Sequence, residues 1–184
     1  VGAGAHDDGT EQKAMAWTRF AYTVFPSPLG LVLLAGSGRG LCWLGMGDDG
    51  AALEAELRRD YPRAAPVRDD RALAAEAAAV GAYLAGRGPC AGLPLDVAGT
   101  PFQLRVWEAL RAVPYGETRT YGQIAAALGL SPGAARAVGA AGGANLVSLV
   151  IPCHRAVGGD GRLRGFRWGL ERKAALIALE RRGR

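Results

Sequence analysis

Apolar and polar positions change their period several times along the chain. The segments RFAYTVF and LVLLAG flank the turn PSPLG, and GLCWLGMG follows GSGRG. Three short apolar or alternating runs punctuated by Gly and Pro predict an antiparallel meander that begins near Trp17. Helical spacing then takes over in AALEAELRRDY and in the Ala-rich DRALAAEAAAVGAYLAG. Periodicity is lost in RGPCAGLP, Arg87 to Pro94, which predicts a domain boundary there. The first sixteen residues are small, polar and aperiodic and are expected to be disordered. The predicted organisation is thus 1–16 as a disordered segment, 17–92 as one domain and 93–184 as another, with no internal repeat.

Beyond the boundary, TPFQLRVWEALRAV predicts a helix with Thr100 as N-cap, Pro101 in the first turn and Gln103 completing a capping box, stopped by Pro114. In GETRTYGQIAAALG, Ile124 and Leu128 lie one turn apart, and Gly129 stands where a glycine ends a helix. Ser131 and Pro132 then predict the cap and first position of a second helix, SPGAARAVGAAGG, so the pair has helix-turn-helix spacing. Its side chains are small, among them Ala134, Ala135, Ala137 and Gly139, and Arg136 is the one long exception. Two readings stand: tight helix packing with Arg136 in solvent, or a backbone pressed on nucleic acid behind a probing guanidinium.

In LVIPCHR, Leu149 to Ile151 read as a buried strand from which Pro152 turns the chain, presenting Cys153 and His154. The last helix, LERKAALIALERR, is expected to turn Leu170, Ala174, Ile177 and Ala178 inward. Glu180, three beyond Ile177, either faces inward with them or pairs with an Arg in solvent.

Composition is ordinary for a globular protein of 184 residues, and no apolar run approaches the ~20 residues of a membrane span. The N-terminus lacks the order of a signal peptide, so a cytoplasmic location is expected. Cys42, Cys90 and Cys153 are three widely spaced cysteines, which points to reduced thiols, the first two as bystanders. With no CxxC or HxxxH pair, a zinc site would need scattered residues such as His6, and no metal or cofactor is expected. The net charge is +5; the thirty residues from Arg155 onward carry +6 and the rest of the chain −1, so the tail is either a solvated basic segment or a polyanion-facing surface.

A thiol next to a histidine can be activated as a nucleophile, provided that a carboxylate orients the base; Asp160, Glu171 and Glu180 are the candidates. Three classes remain open on these grounds: a Cys-His hydrolase, a thiol that accepts a transferred group, and a DNA-binding module with an incidental cysteine.

IPCHR, taken with GTPFQLRVWEALRAVPYGETRTYGQIA, AARAVGAAGGAN and GFRWGLERKAAL, closely resembles the methylated-DNA-protein-cysteine methyltransferases. These are the O6-alkylguanine-DNA alkyltransferases of the Ogt type and of the C-terminal half of Ada. The resemblance covers Thr18 to Arg181 and is densest after Gly99. It implies an α+β protein: a ribonuclease H-like domain of meander plus helices, then a mainly helical domain with a winged helix-turn-helix-like motif.

The activity implied is DNA repair by a single, irreversible transfer of an alkyl group from O6-alkylguanine, and from O4-methylthymine, to Cys153 of a monomer. The lesion would be flipped from double-stranded DNA bound through the minor groove. Cys153 would be the acceptor, His154 a base acting through a water, and Glu180 the carboxylate behind it. Asn145 would hold the turn that presents the cysteine, and Tyr121 would assist nucleotide rotation and donate to the leaving guanine. Arg136 would fill the gap in the base stack, while Ala134, Ala135, Ala137 and Gly139 face the groove.

Pro152, Ala156, Phe166, Arg167 and Trp168 would form the pocket. Phe166 replaces a tyrosine frequent there, and the bulk of Arg167 and Trp168 is expected to disfavour large alkyl groups. The turn before Arg136 is one residue longer than usual. The runner-up, a non-enzymatic alkyltransferase-like protein that binds lesions, is disfavoured because such relatives lack the cysteine. A sequence-specific regulator would need more base-reading side chains than Arg136.

Overall fold

The computed structural model describes residues 19–90 and 92–183, so the segment expected to be disordered lies outside the described residues. Strands β1 (Arg19–Ser27), β2 (Gly30–Ser37) and β3 (Gly40–Gly47) form the antiparallel meander, with Val24 opposite Leu33 and Leu34 opposite Leu44. The reversal into β2 passes through Gly30 at φ 102°, where a Cβ would come within 2.6 Å of the Gly47 carbonyl oxygen.

A strand that the pattern does not announce, β4 (Ala65–Arg68), pairs with β1 in parallel, so the sheet is mixed with order β3-β2-β1-β4. Four residues that bury only Pro66 carry too little alternation to be legible. Helix α1 (Gly50–Asp60) starts at an Asp49 N-cap and lays Leu53 and Leu57 against β2 and β3. Helix α2 (Ala74–Leu84) contacts β1 and buries Val80, Tyr83 and Leu84.

The outer edge of β3 is not left open. Leu41 exchanges hydrogen bonds with Pro94 and Asp96, and the Leu44 amide donates to the Leu146 carbonyl at 2.7 Å. The edge is thereby covered by chain from beyond the expected boundary, and one apolar core runs from the sheet into the helical part.

Helix α3 (Pro101–Arg111) has the expected Thr100–Gln103 capping box and buries Val106, Trp107 and Leu110. A second box, Thr120–Gln123, opens α4 (Tyr121–Ala127). Gly129 ends it at φ 73° in a Schellman motif, with Gly129 N–H on Ala126 and Leu130 N–H on Ala125. Two-residue strands β5 (Arg119–Thr120) and β6 (Ala156–Val157) run parallel and pin the start of α4 beside the Cys153 segment.

Three expectations need correction. The second helix of the pair, α5 (Ala135–Gly143), does not start at Pro132: a 3-10 turn over Pro132–Ala134 precedes it, and no side chain caps it. Leu149–Ile151 is not a strand but a tight turn, described below. The last helix, α6 (Leu170–Arg182), buries Lys173, Leu176, Ile177 and Glu180, whereas Leu170, Ala174 and Ala178 are exposed. Its inward face includes two charged residues, which an apolar periodicity cannot register.

Candidate active site

Cys153 opens a single 3-10 turn, Cys153–Arg155, at the end of two successive reversals. In the first, the Val150 amide donates to the Ser148 carbonyl around Leu149 at φ 72°, the one non-glycine residue with positive φ among those described. In the second, the Cys153 amide donates to the Ile151 carbonyl around Pro152 at φ −80°, ψ 64°, an inverse γ-turn. Leucine in the left-handed region is strained and persists only where neighbours over-determine it. Asn145 supplies that: its Oδ1 accepts from the Val147 amide at 2.9 Å and its Nδ2 donates to the Ile151 carbonyl at 2.9 Å. The same Nδ2 lies 3.5 Å from the Cys153 sulfur.

Burial pushes the Cys153 thiol above its ordinary pKa, opposed by the Asn145 hydrogen bond, the Lys173 charge and a hydrogen bond from Ser148. The resting group is therefore a thiol, and attack requires that its proton leave. His154, fully buried, is the adjacent base. Its Nε2 is 2.8 Å from Glu180 Oε1, an anion, so Nε2 carries the hydrogen and Nδ1 keeps a lone pair. Nδ1 has no hydrogen-bond partner among the described residues. Burial lowers the His154 pKa despite Glu180, which keeps the imidazole neutral and able to accept a proton at pH 7.

Glu180 reaches this site from α6, one hundredth exposed, with both oxygens occupied. Arg155 donates Nε to Oε2 at 2.9 Å and Nη2 to Oε1 at 3.0 Å, the Gly116 amide donates to Oε2 at 3.0 Å, and Tyr83 donates its hydroxyl to Oε1 at 2.6 Å. Burial alone would favour the neutral acid, but the hydrogen bonds from His154 and Arg155 prevail and hold the carboxyl at about 2.

The sulfur faces a cavity of about 410 Å³ whose walls come from α4 (Tyr121), α5 (Val138, Gly139, Gly142, Gly143), Ala156 and the loop Gly165–Arg167. That volume suits a small aromatic ligand. Tyr121 lays its ring against α5, 3.8 Å from where a Cβ on Gly139 would stand, an ordinary packing distance. Lys173, fully buried on α6, donates to the Arg164 and Gly165 carbonyls at 2.6 and 3.2 Å, with its ammonium 3.5 Å from the Tyr121 hydroxyl. Burial lowers its pKa to about 8, a shift that the Cys153 charge opposes.

The structure brings Cys153, Asn145 and Tyr121 around one cavity, together with Ala156, Phe166 and Arg167 of the expected pocket, while His154 and Glu180 are buried behind the cysteine and outside the cavity lining. Two expected pocket residues are elsewhere. Trp168 is turned into the core, edge-on to Trp43, with its indole N–H on Ser148 Oγ at 2.8 Å. Pro152 lines a separate cavity behind the turn, with Cys90 and Arg155. Arg167 is held back from the centre by Glu56 and Asp60 at 2.9 and 2.7 Å. Arg136 and Ala137 are exposed on α5, Ala134, Ala135 and Gly139 half-buried, and Arg136 has no ion pair among the described residues.

Sequence reasoning missed Tyr83, Ser148, Arg155 and Lys173. Only Lys173 left a signal, seven residues before Glu180 and thus on the same helical face. Cys42 and Cys90 are buried in the core, and burial pushes both thiols up to about 12, which leaves them inert.

Two family models match, together covering most of the chain. The 6-O-methylguanine DNA methyltransferase ribonuclease-like domain matches residues 20–97, and the DNA binding domain of the same family matches residues 101–182. A methylated-DNA–protein-cysteine methyltransferase of Mycolicibacterium paratuberculosis is 45% identical over 161 residues, 88% of this chain and 92% of the relative. The bifunctional transcriptional activator/DNA repair enzyme Ada of Escherichia coli is 45% identical over 86% of this chain, which spans 45% of Ada's length. The crystal structure of Mycobacterium tuberculosis OGT in complex with DNA superposes with a TM-score of 0.76 at 40% identity, covering 89% of this chain and 94% of that one.

Proposed function

Given that the chain belongs to the 6-O-methylguanine DNA methyltransferase family, we propose that it repairs double-stranded DNA by moving the alkyl group of O6-alkylguanine onto Cys153, once per molecule. The observation that carries this reading is a half-buried thiol facing a base-sized cavity, adjacent to a histidine whose Nε2–H is tied to an anionic carboxylate.

The step balances without a cofactor. As the sulfur attacks the alkyl carbon, the S–C bond forms, the C–O6 bond breaks, and the thiol proton passes through a water to His154 Nδ1. Glu180 steadies the imidazolium that results. The departing guanine takes up a proton as charge develops on it; in this reading the donor is the Tyr121 hydroxyl, which donates to the Arg164 carbonyl at 3.0 Å beside Lys173 and turns from that carbonyl to the guanine once the base is bound. The product is a thioether, which nothing in the cavity hydrolyses, so the protein is spent.

Access to the O6 atom requires that the nucleotide leave the stack. The smooth face of α5, laid in the minor groove, allows close backbone approach, and exposed Arg136 fills the vacated space. Phosphate contacts by the basic C-terminal third make binding independent of sequence and sensitive to salt. Among the described residues no helix is long and apolar enough to cross a membrane. Three unpaired cysteines suit a reducing compartment, and the reading places the protein in the cytoplasm as a monomer.

Intact-protein mass spectrometry after incubation with an oligonucleotide bearing O6-methylguanine tests the proposal. One added methyl, mapped to Cys153 and absent in Cys153→Ser, is the expected result; several turnovers per molecule or an unmodified Cys153 refutes it.

A further inference from the structure

The C-terminal half holds Cys153, His154 and Glu180, but one donor to this relay comes from the sheet domain. We propose that Tyr83, at the end of α2, is a positioning residue for the proton transfer, through which the N-terminal domain sets the orientation and basicity of the His154–Glu180 pair. The inference rests on the alkyl-transfer reading and deepens it.

The Tyr83 hydroxyl donates to Glu180 Oε1 at 2.6 Å, and its oxygen lies 3.2 Å from His154 Nε2. Nε2–H thus faces two acceptors, Oε1 at 2.8 Å and the phenol oxygen, so the imidazole cannot rotate without losing both. That keeps Nδ1 as the free acceptor. Glu180 does not need the phenol for mere satisfaction: Arg155, Gly116 and His154 already occupy both of its oxygens. The hydroxyl also sits in an otherwise apolar stretch of α2, between Val80 and Leu84, where phenylalanine would serve packing alone.

Tyr115 provides an internal contrast. Its ring packs edge-on to Tyr83 with centroids 6.2 Å apart, and its hydroxyl is buried with no hydrogen-bond partner among the described residues. Two neighbouring phenols thus differ in what their hydroxyls reach: that of Tyr83 meets Glu180 and His154, and that of Tyr115 neither. The charged and titratable groups facing His154 are Glu180 and Lys173 from α6, Arg155 and Cys153 from its own turn, and Tyr83 from α2.

A donor removed from Oε1 leaves more of the carboxylate's charge for the imidazolium. Tyr83→Phe should therefore move the acidic limb of the pH–rate profile for methyl transfer to higher pH. It should also lower the second-order rate constant about threefold to tenfold, the range that the net contribution of one ordinary hydrogen bond spans. Tyr115→Phe should change neither. Replacement of Tyr83 by a fluorotyrosine, a stronger donor of the same shape, should move the limb the opposite way and keeps the test open should the Phe variant fold poorly.

An unmoved limb in both Tyr83 variants overturns the inference, even if the rate falls, since that outcome means packing alone. If the unaltered protein transfers no methyl to Cys153, the underlying reading fails first, and the two failures are thereby distinguished.

Discussion

Helices α5 and α6 border the same site and use their side chains in opposite ways. On α5 the small residues face the cavity and the solvent, and what matters is absence: Gly139, Gly142 and Gly143 leave room, and Arg136 alone projects. On α6 two charged side chains are driven inward, Lys173 to the carbonyls of the Arg164–Gly165 loop and Glu180 to a cluster of donors. In the proposed reading the first helix meets DNA with its backbone; the second performs electrostatics inside the protein. Burial follows apolar content on α5 and violates it on α6, so the violation marks the chemistry.

The largest break in this comparison should come from Glu180→Gln. It leaves Arg155 buried without its anion, which costs about 3–5 kcal/mol by denaturant unfolding, and it should slow methyl transfer by roughly a hundredfold. The same carboxylate predicts an acid dependence. Its pKa is near 2 in the folded state and ordinary when unfolded, so its contribution of roughly 3 kcal/mol is complete above pH ~4.5 and is lost as pH falls toward 2. His154, with its lowered folded pKa, loses stability in the same direction on acidification below pH ~6.5. The unfolding free energy of Glu180→Gln should be correspondingly flatter between pH 4.5 and 2; an equal slope in both proteins would mean that other carboxylates control the acid transition.

Lys173→Met separates the two roles within α6. Removal of a buried ammonium for an apolar side chain of similar volume should leave stability unchanged or higher by about 1 kcal/mol, while transfer slows about tenfold as the loop and Tyr121 lose their donor. Calorimetry and stopped-flow transfer rates measured on one preparation would show the two effects diverge.

The smallest effect should be on the α5 side. Arg136→Ala removes an exposed side chain, so unfolding should change by less than ~0.5 kcal/mol. Repair of duplex DNA should slow severalfold, while the reaction with free O6-methylguanine base stays the same. Equal slowing on both substrates would place Arg136 in the chemistry and erase the contrast between the helices.

Legibility along the chain follows which forces are local. The meander, the Thr100–Gln103 capping box, the Gly129 terminus and the small-residue character of α5 are readable, since each depends on neighbours within one or two turns; the Thr120–Gln123 box is equally local but is not among the expectations. The Leu149–Ile151 turn was misread because apolar content imitates a strand, whereas Asn145 closes it from outside the segment. Trp168 was misplaced for a related reason: its partners, Trp43 and Ser148, come from distant parts of the chain. On α6 the expected inward position holds for Ile177 but not for Leu170, Ala174 and Ala178, because apolar spacing gives no account of Lys173 and leaves Glu180 open between interior and solvent.

By itself the sequence determined the local elements, an exposed Arg136 on a helix without bulk, and a Cys-His pair after a proline, together with motifs dense enough to indicate the family. Only the tertiary structure decided that Glu180 is buried, that Arg155 and Gly116 saturate it, and that Tyr83 reaches it from ninety-seven residues away. A charge enters a protein interior only when its partners converge there, and convergence across such separations is a property of the folded chain.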